Sequence, residues 1–166
     1  MASERLRAVP DRDPARPVTL VDSNVLLDVF TEDPHWSTWS ESALATARED
    51  GLLVINPLIY AEVSIRFATI EDLDEAMPAS EFLREHLPYE AGFLAGKAYV
   101  RYRRRGGTKR SPIADFYIGA HAAVRRYHLL TRDPARYQAY FPTLTLITPD
   151  VAGDDTPRTG SDSATS

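Results

Sequence analysis

The sequence predicts an α/β protein with three layers, in which a central, mainly parallel sheet is flanked by helices. Short apolar runs without alternation, Val18 to Val21, Leu52 to Ile55, His128 to Thr131 and Leu144 to Ile147, read as strands buried on both faces. Between them lie segments whose apolar residues recur at helical spacing. Strands that alternate with helices pair in parallel, because each helix carries the chain back to the starting edge of the sheet.

The elements follow in order. Met1 to Pro17 holds Pro10, Pro14 and Pro17 among scattered charges, too little apolar area to offset the entropy of ordering, and is expected to be a flexible arm. The first strand, from Val18, ends at Asp22. Val25, Leu26, Val29 and Phe30 come next, and Trp36, Trp39, Ala43 and Ala47 keep helical spacing up to the stop signal Asp50-Gly51. After the second strand, Asn56-Pro57 supplies a cap and a first-turn proline, and Ile59, Val63 and Phe67 form a stripe beside Glu62. Ile70 to Arg105 is expected to be mostly helical, broken at Pro78 and Pro88. A basic loop from Arg103 to Arg110 precedes a helix opened by Asp115. The third strand ends just before Asp133, and a short helix around Tyr137 leads to the last. Beyond Pro149 the chain is Gly, Ser, Thr, Asp and Pro with hardly an apolar residue, and a disordered tail, 150–166, is expected. One folded domain, 18–149, remains.

Composition narrows the function classes. A chain of 166 residues that is 43% hydrophobic builds one core. Its net charge of -5 argues against gripping nucleic acid by bulk positive charge, although a local basic patch stays open. The absence of cysteine excludes a disulfide framework, a thiolate metal site and a cysteine nucleophile, and fits a cytoplasmic location. No apolar stretch approaches the ~18 to 20 residues of a spanning helix, and the N-terminus has no apolar signal core. The protein is therefore read as neither membrane-bound nor secreted.

Open parallel sheets gather ligands at the carboxyl ends of their strands. Asp22 and Asp133 both stand there, with Ser23 and Asn24 beside the first and Thr131 beside the second as residues able to fix the carboxylates. Glu62 interrupts an apolar stripe, and Asp115 sits in the first turn of its helix. Each alone reads as a cap or a solvated acid; the set, with no lysine or arginine expected at strand ends to neutralise it, points to cations. Oxygen-only ligands favour Mg²⁺ or Mn²⁺ over zinc. The four histidines show no ligand spacing, and His121 is read as a core or helix-surface residue.

These segments resemble the PIN-domain nucleases, and among them the VapC-type toxins of bacterial toxin-antitoxin pairs. The likeness runs from Val18 to about Thr148: Leu20-Val21-Asp22-Ser23-Asn24 resembles the first motif, Tyr60-Ala61-Glu62-Val63 the second, Ile113-Ala114-Asp115-Phe116 the third and Leu129-Leu130-Thr131-Arg132-Asp133 the fourth. The resemblance implies a PIN-like fold and a single-strand-specific endoribonuclease, held inactive by a cognate, VapB-like antitoxin and generally dimeric. It implies Asp22, Glu62 and Asp115 as principal metal ligands and Asp133 as a fourth, direct or through water, with Asn24 and Thr131 orienting water or ligands.

RNA must still reach an acidic pocket. Arg101, Arg103, Arg104, Arg105, Lys109 and Arg110, interleaved with Tyr99 and Tyr102, are the expected contact, since arginine-phosphate pairing and aromatic stacking serve single strands. Gly106 and Gly107 are expected to make that loop mobile. An aspartyl-phosphate phosphotransferase would want a second Asp where Asn24 stands and a lysine at a later strand end. A non-catalytic RNA-binding or regulatory protein of the same fold and a metal-dependent DNase stay open.

Overall fold

The computed structural model describes residues 13–108 and 113–150. The chain runs β1 (Val18–Val21), α1 (Ser23–Phe30), α2 (Ser37–Asp50), β2 (Leu52–Ile55), α3 (Pro57–Ser64), α4 (Ile70–Ala76), β3 (Phe82–Arg84), α5 (Tyr89–Arg104), α6 (Ile113–Arg125), β4 (His128–Leu130), α7 (Ala135–Tyr140) and β5 (Leu146–Ile147). All strand pairs are parallel, in the order β3-β2-β1-β4-β5, which is the α/β architecture the apolar runs require.

Burial explains the order. β1 sits at the centre, where Leu20 and Val21 are fully enclosed between β2 and β4, which contribute Val54, Leu129 and Leu130. Val25 and Leu26 of α1, Ile59 and Val63 of α3, and Phe116 and Ile118 of α6 complete the core. Asn56 caps α3 by accepting the Ile59 N–H at 3.0 Å, with Pro57 at the first helical position. Ala91, Ala95 and Ala98 make a small-residue face on α5, and this helix packs closely against α6.

The segment 77–88 departs from the expected helix: it holds β3, an edge strand paired with β2 through Leu53–Phe82 and Ile55–Arg84. Three residues between Glu81 and Glu85 carry too short a pattern to register as a strand, and only Phe82 is buried. β5 is also shorter than the run from Leu144 suggests. Of the proposed arm, residues 13–17 are fastened to the body: Arg16 donates to the Asp50 and Glu49 carbonyls, and Leu52 N–H to the Pro17 carbonyl at 3.1 Å. Residues 1–12 and 151–166 lie outside the described residues. No helix among the described residues is long and apolar enough to cross a membrane.

Candidate active site

From β1 the sheet grows one way through β2 and β3 and the other way through β4 and β5. The segments that leave the carboxyl ends of β1 and β4 therefore diverge, and a crevice opens between them. Val21 pairs with Leu130, and Asp22 N–H donates to the Leu130 carbonyl at 2.9 Å, so Asp22 and Thr131 emerge side by side.

Asp22 is 5% exposed. Its Oδ2 accepts the Thr131 hydroxyl and the Tyr137 hydroxyl, each at 2.9 Å, and the Asn24 amide at 3.4 Å. Asn24 also donates to Thr131 Oγ1 at 3.3 Å, and its own Oδ1 accepts the Arg132 N–H at 3.2 Å. Burial pushes the Asp22 carboxyl above its usual range and the charge of Glu62 adds to this, while the Thr131 and Tyr137 bonds pull the other way. Tyr137 is raised well above 10, again chiefly by burial and then by the Asp22 charge.

Ser23 Oγ donates to Glu62 Oε2 and lies 3.4 Å from Asp22 Oδ1, bridging the acids of β1 and α3. Asp22, Asp115 and Asp133 line one cleft of about 120 Å³, with Ser23, Asn24, Arg136 and Tyr137 in its wall. Asp133 is exposed at its mouth, its N–H donated to Thr131 Oγ1 at 3.2 Å. The expected set is thus gathered, three acids on the cleft and Glu62 joined through Ser23.

Two arginines correct the expectation that no basic group stands near these strand ends. Arg136, from α7, donates to Asp115 Oδ2 inside the cleft and lies over the Phe116 ring at 5.9 Å. Arg132, directly after Thr131, pairs with the buried Asp28 at 3.0 Å and covers the Trp36 ring. The β4–α7 loop and α7 fold these two back onto the body, a contact between distant segments that spacing does not encode. No group of three or more His, Cys, Asp or Glu among the described residues stands close enough together to hold a metal ion. The donor set is nonetheless hard oxygen throughout, with only the Arg136 guanidinium set against it, so its chemistry fits a divalent ion of the Mg²⁺ or Mn²⁺ type.

Arg136 and Tyr137 are the site residues that sequence reasoning missed. The i, i+4 pair Tyr137 and Phe141 marks a buried face of α7, but nothing in it tells where the phenol points. Gly119, on α6 opposite that face, is required: a Cβ there would stand 2.7 Å from Phe141 and 2.9 Å from Tyr137 ring carbons, both buried. Gly119→Ala is expected to destabilise the protein by about 1 to 3 kcal/mol, read as a lowered thermal midpoint, because neither ring has room to retreat.

Arg103, Arg104 and Arg105 are exposed at the end of α5, Arg105 lies over the Tyr140 ring at 5.3 Å, and Arg101 donates to the Tyr140 carbonyl at 3.0 Å. Lys109 and Arg110 lie outside the described residues. Tyr102 is not an open stacking platform, since its ring packs on Phe116 and Tyr140, at 5.7 and 6.3 Å. Gly107 does more than loosen the loop, because a Cβ on it would overlap the Tyr102 ring at 2.3 Å.

His121 is a core residue. Asn56 spends its carbonyl on Ile59, so its amide donates to His121 Nδ1 at 3.1 Å, leaving the ring proton on Nε2, which faces Glu85 at 3.6 Å. Glu85 also accepts the Tyr127 hydroxyl and pairs with Arg125, each at 2.7 Å.

A buried aspartate at a sheet switch point, with two further acids lining one cleft, defines an α/β domain with an acidic crevice at the carboxyl ends of its strands. The PIN-domain profile matches residues 19–142, and the chain belongs to the PIN-domain family, whose members are generally nucleases. No curated protein matches the sequence. Among solved structures, VapBC2 from Rickettsia felis bound to a DNA fragment from its promoter is similar at 15% identity and a TM-score of 0.62, covering 80% of this chain and 99% of that one. VapBC-1 from nontypeable Haemophilus influenzae is similar at 16% identity and a TM-score of 0.61, covering 79% and 97%. A toxin-antitoxin complex from Klebsiella pneumoniae is similar at 20% identity and a TM-score of 0.59, covering 79% and 97%. At these identities the likeness is one of fold.

Proposed function

We propose that this chain is a divalent-metal-dependent endoribonuclease that hydrolyses phosphodiester bonds in single-stranded or loop RNA, acting in the cytoplasm as the toxin of a type II toxin-antitoxin pair. The observation that carries this reading is the convergence of Asp22, Asp115 and Asp133 on one cleft, with Glu62 tied to it through Ser23. The toxin role is supported by the solved structures that share the fold, among them two VapBC assemblies and a toxin-antitoxin complex. A VapB-like antitoxin and a second copy of the chain are the proposed protein partners.

Asp22, Glu62 and Asp115 are the proposed ligands of Mg²⁺ or Mn²⁺, with Asp133 completing the set directly or through water. Such an ion supplies a more acidic water and neutralises charge growing on the phosphate. The chain's own groups do the rest. Thr131, Tyr137 and Asn24 hold Asp22 in one orientation. A carboxylate of the set accepts the attacking water's proton, which removes the need for a histidine or lysine base.

Arginines at the end of α5 bring the substrate to an acidic cleft. Arg104→Glu with Arg105→Glu is expected to weaken RNA binding about tenfold or more and to reduce its salt dependence, while stability moves by about 0.5 kcal/mol or less. Binding titrations at several salt concentrations, beside thermal melts, measure both; equal loss of binding and stability removes the RNA-contact role. The function itself is tested by incubating the purified chain with single-stranded RNA and DNA in Mg²⁺, in Mn²⁺ and in chelator. RNA cleavage that needs the ion is expected. No cleavage with either ion, or cleavage confined to DNA, overturns the reading.

A further inference from the structure

We propose that Arg136 is an internal counter-cation that occupies Asp115 until a divalent ion displaces it, so that ion binding and release of Arg136 are a single exchange. The inference rests on the reading above, that these acids hold a divalent ion. Three observations carry it. The guanidinium lies in the wall of the same cleft as Asp22 and Asp133 and donates to Asp115 Oδ2. Among the described residues no three acids stand close enough together to form a ligand group. The pair is also open to water, with Asp115 41% and Arg136 28% exposed, unlike Arg132, whose partner Asp28 is 3% exposed.

Electrostatics favours this arrangement. Clustered carboxylates repel one another, and one of them already buried raises the cost of leaving the cleft without positive charge. Arg136 supplies that charge from α7, held against Phe116. A divalent ion that brings two charges to the same carboxylate is repelled by the guanidinium already donating to it and competes with it for the same lone pairs. The ion must therefore break a partly solvated pair, a modest and reversible cost, and its apparent affinity is lowered by that amount.

The test measures Mn²⁺ binding without RNA, by calorimetry and by the electron paramagnetic resonance of free Mn²⁺. Four chains are compared: wild type, Arg136→Gln, Asp115→Asn and the double variant, with Arg136→Met replacing the glutamine if that chain does not fold. Arg136→Gln is expected to bind Mn²⁺ about fivefold more tightly than wild type, the scale of a partly exposed ion pair. In the Asp115→Asn background that gain is expected to vanish. Equal affinity in wild type and Arg136→Gln overturns the exchange and leaves the metal reading standing. A gain that survives Asp115→Asn also overturns it, since the effect is then one of general field. If no chain binds Mn²⁺, the metal reading and the exchange fall together.

Discussion

Replacing Asp22 by asparagine is expected to reduce RNA cleavage by more than about a hundredfold, beyond what losing a residue that merely supports a ligand costs, and to leave the fold intact. Asparagine is isosteric, and its carbonyl oxygen takes over the bonds from Thr131 and Tyr137, so neither hydroxyl is stranded. It also removes a buried charge. Burial raises the folded-state pKa of Asp22 above its usual 3.8, so the stability it contributes without metal is complete below that value and is lost as pH rises through the raised one. The metal-free variant is therefore expected to match or exceed wild type in thermal midpoint at neutral pH. Adding Mg²⁺ should raise the midpoint of wild type only, because an ion stabilises the state that binds it. Sequencing RNA ends after brief expression of both chains ties activity to target: new ends should appear with wild type alone. Ends that persist in Asp22→Asn would remove Asp22 from the reaction.

The largest expected loss of stability from a polar substitution is at Glu85. Burial on its own would raise this carboxyl, but the His121 ring facing it, the Tyr127 hydroxyl bond and the Arg125 guanidinium outweigh it and hold the group at about 2 instead of 4.5. Such a drop corresponds to at most about 3 kcal/mol at neutral pH, and water access at a side chain 16% exposed brings the expectation for Glu85→Gln to about 2 kcal/mol. The depressed pKa fixes the sign: this stability is present above pH 4.5 and is lost as pH falls through about 2. Chemical denaturation of both chains between pH 7 and pH 2 should show curves that converge on the acid side. Parallel curves over that range would show that the carboxylate's charge carries none of the effect.

Legibility in the sequence followed the physics of each element. β1, β2 and β4 announced themselves because strands enclosed on both faces need unbroken apolar runs, and Asn56-Pro57 marked the start of α3 because a helix leaves its first N–H groups unpaired. β3 did not, being three residues at a sheet edge with charge on either side. Asp22 and Asp133 were readable as acids at strand ends. The hydroxyl that joins Ser23 to Glu62, the phenol on Asp22 and the guanidinium on Asp115 were not, since each is a meeting between residues at least 20 positions apart that depends on how α3, α6 and α7 dock.

The order of strands also governs when in synthesis the acidic cleft can form. β4 lies in the middle of the sheet, beside β1, yet it is almost the last strand to leave the ribosome. Until it inserts, Asp22 lacks Thr131 and Tyr137, and Asp133 has not been made. Incomplete translation products therefore lack the assembled acidic cleft, which forms only once nearly the whole domain has been synthesised.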